Sequence, residues 1–177
     1  MPNTNINLPV VQSPDDDYYY LSHGPDGNHD VFGSAYVELC NKPDFTDPVT
    51  VIYGHNMLDD SMFATTHYFE DREFFDKNDH FYIYTPGHIL TYKIISAYAG
   101  NDEHIINTNK GFQNKDVLLK YYEFICNPTA LIKNVRGGIK LDEHDKVVQL
   151  STCMSDLDWS NQRYLVTGYL IDDVETN

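Results

Sequence analysis

Hydrophobic and polar positions along the chain are arranged mostly for strands. Residues 6–11 (Ile-Asn-Leu-Pro-Val-Val) form a short apolar run whose proline suits a sheet edge. Asp15, Asp16 and Asp17 interrupt it, Tyr18, Tyr19, Tyr20 and Leu21 follow, and residues 22–30 are rich in Gly, Pro, Asn and Asp, the composition of a loop. Residues 34–39 are compatible with a strand. Val49, Thr50, Val51, Ile52 and Tyr53 form a β-branched run of the kind that is buried on both faces, and Gly54 ends it. Residues 61–68 and 71–75 suggest one or two short helices that contribute Phe63, Phe69, Phe74 and Phe75 to a core. The clearest hairpin joins residues 80–85 through Pro86-Gly87 to residues 89–98. Residues 114–126 place Val117, Leu118, Tyr121, Tyr122 and Ile125 at helical spacing before Asn127-Pro128 stops them. Gly137-Gly138 marks a turn, and residues 146–152 and 164–171 supply two more strands. At least six strands joined by irregular segments predict a mainly β, closed or nearly closed barrel with inserted helices. With no repeat and no low-complexity linker, residues 1–177 are expected to form a single domain.

Composition narrows the function classes. The 177 residues carry 27 acidic and 12 basic side chains, a formal net charge of −15, which argues against non-specific binding to nucleic acid or to anionic membranes. The imbalance is concentrated in residues 1–60, with ten acids and the single base Lys42. A 14% aromatic content, with 14 Tyr and 9 Phe, is too high for a disordered acidic chain. No apolar run approaches the roughly 18 residues of a membrane span, and no basic-then-apolar signal segment opens the sequence. Cys40, Cys126 and Cys153 permit one disulfide at most. There is no CxxC pair, no HExxH, no P-loop and no GxGxxG, so neither a metal nor a cofactor is expected. The stretch Asp26-Gly27-Asn28-His29-Asp30 imitates a calcium loop, but Val31 stands where that loop needs Gly and Val37 where it needs Glu.

Three residues carry candidate chemistry. Cys153 closes the strand of residues 147–152 and opens a polar stretch running to Gln162, so its thiol is expected at an accessible strand end. An isolated free cysteine is more often a small buried hydrophobe, the reading that suits Cys40 and Cys126. His55 follows the 49–53 strand and Gly54 in the same manner, whereas the other seven histidines fall in turns or on polar faces. Arg163 opens the last strand ten residues after Cys153. In so acidic a chain an arginine is most simply an ion-pair partner. A short connection would nevertheless bring its guanidinium to the thiol, where it would stabilise negative charge developing on a carbonyl oxygen.

These residues sit in recognisable motifs. Leu150-Ser151-Thr152-Cys153 with Arg163 downstream resembles the signature of the sortase family, and Val51-Ile52-Tyr53-Gly54-His55-Asn56-Met57 resembles its histidine motif. The His-Asn-Met triplet followed by Ser61-Met62-Phe63, and the helix between the hairpin and the cysteine strand, are most similar to class B. So is the N-terminal stretch 4–12 with 17–21. Gln149 departs from the Thr usual in the family. The resemblance covers residues 4–172 and implies a sortase-like closed β-barrel of about eight strands with inserted helices. It further implies a cysteine transpeptidase on the outer face of a Gram-positive cell, held by an upstream anchor and helices outside this chain. Its activity would be to cleave an Asn-Pro-x-Thr-x-like sorting motif after Thr and join the protein to an amine of peptidoglycan. By the same resemblance Cys153 is the nucleophile, His55 the general acid and base, and Arg163 the carbonyl and oxyanion holder. Leu21, Ser151 and Thr152 become substrate-pocket residues, and residues 127–139 a groove wall. A peptidase hydrolysing the sorting peptide, a pilin-polymerising sortase and an inactive extracellular binding module are the alternatives.

Overall fold

A computed structural model describes residues 1–154 and 161–176. Eight strands make up its single sheet: β1 (Val10–Val11), β2 (Ala35–Tyr36), β3 (Val49–Tyr53), β4 (His80–Thr85), β5 (His88–Asn101), β6 (Lys133–Val135), β7 (Val147–Cys153) and β8 (Gln162–Glu175). Three helices, α1 (Arg72–Lys77), α2 (Ile105–Thr108) and α3 (Lys115–Cys126), and 3-10 turns at Tyr19–Leu21, Ala64–Glu70 and Lys110–Phe112 fill the connections. The sheet order is β1-β2-β3-β7-β8-β5-β4, with β6 on β5 beyond β4.

The hairpin forms where Pro86-Gly87 predicts it. Proline presets the first turn position and Gly87 takes φ +84°, so β4 and β5 pair from His80–Lys93 to Thr85–His88. Register shifts at Thr91/Tyr92 and Ile94/Ser96 allow β5 to bend along its length while it stays paired with β8. Helix α3 begins at Asn114, whose side-chain oxygen accepts from the N–H groups of Asp116 (2.8 Å) and Val117 (3.3 Å).

Two cores explain why neither face of β3 or β7 is open to solvent. Inward residues from β2, β3, β4, β5, β7 and β8, among them Ile52, Phe81, Tyr92, Leu150 and Val166, meet Phe63, Phe69 and Phe75 in one cluster. On the opposite face Val49, Val51 and Val147 pack against Ile106, Phe112, Leu118, Tyr122 and Ile125. Strands covered on both sides read as continuous apolar runs, the pattern shown by Val49–Tyr53.

The expectation of a closed barrel needs revision. Among the described residues no ladder joins β4 to β1. β1 is only two residues long, and Pro9 just before it has no N–H with which to lengthen a ladder. Between the two ends lies a cavity of about 700 Å³ lined by Ile6, Leu8, Val10, Phe81 and Ile83. The strand count of eight matches, whereas β2 is shorter than residues 34–39 suggest and β6 has no counterpart in the sequence reading.

Candidate active site

Parallel pairing of β3 with β7 sets the site. The ladder runs from Val49–Val147 to Tyr53–Ser151 and is extended when the Gly54 N–H donates to the Ser151 carbonyl (3.1 Å). Because the strands run in the same direction, His55 and Cys153 leave the sheet at the same end. β8 returns antiparallel and pairs Arg163 directly with Cys153. All three residues line one cavity of about 320 Å³.

Local packing fixes each part. A Cβ on Gly54 would lie 2.7 Å from two carbons of the Phe63 ring, and Phe63 is in the core. Glycine is what lets the chain pass that ring before His55. The Phe63 N–H then donates to the His55 carbonyl (2.9 Å), pinning the segment from the other side. On the ring itself, Nε2 lies 2.8 Å from the Leu21 carbonyl. A carbonyl only accepts, so Nε2 carries hydrogen and, in the neutral ring, Nδ1 is the basic nitrogen. The Arg163 guanidinium donates to the Gln162 carbonyl (3.1 Å).

The three pocket residues expected from motif position all line this cavity. Leu21 contributes its carbonyl to His55 and has its side chain partly exposed. Ser151 and Thr152 are buried on β7, and Thr152 Oγ1 has no hydrogen-bond partner among the described residues. The segment 127–139 does not line the cavity. Its residues 133–135 are taken up as β6 on β5, and the wall is formed instead by residues 101–105, at the end of β5 and start of α2. Most of the polar stretch between Cys153 and Gln162, residues 155–160, lies outside the described residues.

Sequence reasoning passed over His67 and Asn56. The Cys153 carbonyl accepts from Asn56 Nδ2 (3.2 Å) and from His67 Nε2 (3.0 Å). The other nitrogen of His67 lies 2.6 Å from Glu70 Oε1, and the ring stacks on Tyr164 at 4.7 Å. His67 therefore holds the backbone of Cys153 from the 3-10 turn that follows the histidine motif. Its only sequence signal is the His-x-x-Glu spacing of 67 and 70. Across the cavity Tyr36 and Tyr53 stack at 5.4 Å, and burial holds both phenols well above their usual value.

A thiol, an imidazole and a guanidinium are thus gathered at one strand end in a partly enclosed cavity, a set able to supply a nucleophile, a proton carrier and a fixed positive charge. Comparison with known proteins agrees with the motifs. The Sortase domain family matches residues 1–171. Sortase B of Listeria monocytogenes is 31% identical over 172 residues, 96% of this chain and 66% of that protein, so the chain spans just under two thirds of that relative. The crystal structure of Clostridium perfringens sortase B superposes with a TM-score of 0.82 at 34% identity, covering 97% of this chain and 90% of that one. Sortase B of Bacillus anthracis gives 0.78 at 27% identity, covering 97% and 76%. The chain belongs to the sortase family, and its relatives are sortase B proteins.

Proposed function

We propose that the chain is the catalytic domain of a cysteine transpeptidase that cleaves a sorting peptide of the Asn-Pro-x-Thr-x type after Thr and transfers the acyl group to a cell-wall amine. The observation that carries this reading is the placement of Cys153, His55 and Arg163 around one cavity by the β3–β7–β8 ladder. The Cys153 thiolate attacks the Thr carbonyl carbon, forming a C–S bond. Arg163 stabilises the oxyanion. Collapse breaks the C–N bond, and His55 delivers a proton to the departing amine. With Nε2 committed to the Leu21 carbonyl, Nδ1 is the nitrogen that exchanges this proton. An incoming amine, deprotonated by His55, attacks the thioester and regenerates the thiol. Leu21, Ser151 and Thr152 line the peptide's path. By resemblance alone, the expected setting for this chemistry is the outer face of a Gram-positive membrane; among the described residues no helix is long and apolar enough to cross one.

A fluorogenic Asn-Pro-x-Thr-x peptide incubated with and without candidate amines tests the assignment. Cleavage, an acyl adduct on Cys153 by mass spectrometry, and amine incorporated in the product are the expected results. Cleavage without amine incorporation would demote the protein to a peptidase. Full cleavage by Cys153→Ala would overturn the assignment.

A further inference from the structure

Glu38, Cys40 and His104 come together beside the cavity without any part in the chemistry above. Glu38 and Cys40 share one turn, closed by the Asn41 N–H donating to the Glu38 carbonyl (3.0 Å). Gln12 Nε2 holds that turn by donating to the carbonyls of Glu38 (2.9 Å) and Asn41 (2.7 Å), and the Leu39 N–H donates to Asp17 Oδ1 (2.6 Å). His104 approaches from the start of α2, with Nε2 2.6 Å from Glu38 Oε2. Cys40 Sγ lies 3.8 Å from the same oxygen, and the three donor atoms all fall within 4.8 Å of one another. The Glu38 carboxylate is only 7% exposed, and its burial raises its pKa although His104 pulls the other way.

We propose that Glu38, Cys40 and His104 form a three-ligand site for a borderline transition-metal ion of the Zn²⁺ class on the wall of the cavity that holds Cys153. The donor set decides the metal class. Ca²⁺ and Mg²⁺ take six or more oxygens, whereas one thiolate, one imidazole and one carboxylate suit four-coordinate Zn²⁺ with the fourth position open. A tetrahedral ion with bonds of about 2.0–2.3 Å separates its donors by about 3.3–3.7 Å. Two of the three observed separations, 2.6 and 3.8 Å, bracket that range and the third is within 4.8 Å, so side-chain movements of about 1 Å bring the donors to it. The surrounding field favours a cation. Asp17, held against the 38–41 turn by the Leu39 N–H, and Glu38 put negative charge beside Cys40 that a divalent ion would offset. On binding, the Cys40 proton leaves to solvent. The ring proton of His104 moves from Nε2 to Nδ1, exchanging the hydrogen bond now accepted from the Asn107 N–H (3.2 Å) for ligation. An occupied site would link the 38–41 turn to the segment 101–105, two walls of the cavity, and so couple metal supply to access at Cys153.

The inference is independent of the transpeptidase reading, and its test avoids activity. Co²⁺ is titrated into the Cys153→Ala chain, which removes the active-site thiol and leaves Cys40 in place. A saturable 1:1 thiolate-to-cobalt charge-transfer band with the intense visible bands of tetrahedral Co²⁺ is expected, with Zn²⁺ displacing the cobalt. Adding Cys40→Ser abolishes the charge-transfer band, and adding His104→Ala weakens affinity by about 100-fold or more, since even outer partners of a metal ligand account for 10- to 100-fold. Cys40 is exposed, so its Ser variant keeps the native far-ultraviolet spectrum. Absence of a saturable band, or a band that survives Cys40→Ser or disappears with Cys126→Ser, would overturn the proposal.

Discussion

Gly54→Ala tests whether the passage beside Phe63 sets the position of His55. The added Cβ meets ring carbons at 2.7 Å, where ordinary contact begins at 3.4 Å, so ring or backbone must give by about 0.7 Å. The ring has little freedom. Phe63 is 2% exposed, and its N–H is bonded to the His55 carbonyl. If the ring yields, overpacking costs about 1–3 kcal/mol. If the backbone yields, the shift passes directly to His55 and to its bond with the Leu21 carbonyl. Displacements near 1 Å at a reacting group cost about 100-fold in rate. We expect Gly54→Ala to lose about 1–3 kcal/mol in urea unfolding and 10- to 100-fold in kcat/KM for sorting-peptide cleavage. Alkylation of Cys153 by iodoacetamide should persist, because β7 is not in the path of the new methyl. Activity within twofold of the parent together with unchanged stability would refute the account of Gly54.

Other variants probe separate links. Gln149→Leu leaves the Tyr121 hydroxyl without its acceptor and removes the amide donated to Tyr98 Oη (3.2 Å) and Thr167 Oγ1 (2.9 Å); chemical denaturation should show a loss of at least about 1–3 kcal/mol, the cost of one stranded buried polar group. Asn114→Ala uncaps α3 and should cost about 1 kcal/mol, read from the thermal or urea midpoint. His67→Ala removes one of the two donors to the Cys153 carbonyl; kcat/KM should fall by about tenfold or more while the far-ultraviolet spectrum is retained, and an unchanged kcat/KM would remove His67 from the positioning of Cys153. With chelator present, Cys40 should alkylate about 200-fold more slowly at pH 8 than an ordinary thiol of pKa about 8.5. Its rate should climb tenfold per pH unit toward pH 11, and a plateau below pH 9 would contradict a raised thiol pKa.

Much of the site was readable because strand ends are punctuated in the sequence. Gly54 after a β-branched run and Cys153 after another mark two positions where side chains leave a sheet, and the pairing of β3 with β7 makes them neighbours. Asn114 and Pro86-Gly87 were equally legible, since capping and turn chemistry act within a few residues. What escaped depends on tertiary partners. β6 is three residues long and has a strand's backbone only because the edge of β5 beyond β4 is free to accept it. His67 resembles any polar histidine until the 3-10 turn brings it under the Cys153 carbonyl. The open ends of the sheet could not be inferred from strand count either, because closure depends on whether the first and last strands can pair. Glu38, Cys40 and His104 follow no motif spacing, and only the meeting of the 38–41 turn with α2 unites them.

The parallel adjacency of β3 and β7 has a consequence for how such a protein diversifies. More than ninety residues separate His55 from Cys153 along the chain, yet their relative position is fixed by five paired residues on each strand. The intervening segments, including the α2 side of the cavity, can lengthen, shorten or exchange sequence without altering that ladder. On the proposed function, selection can therefore retune which peptide is admitted as a problem separable from the bond-making step.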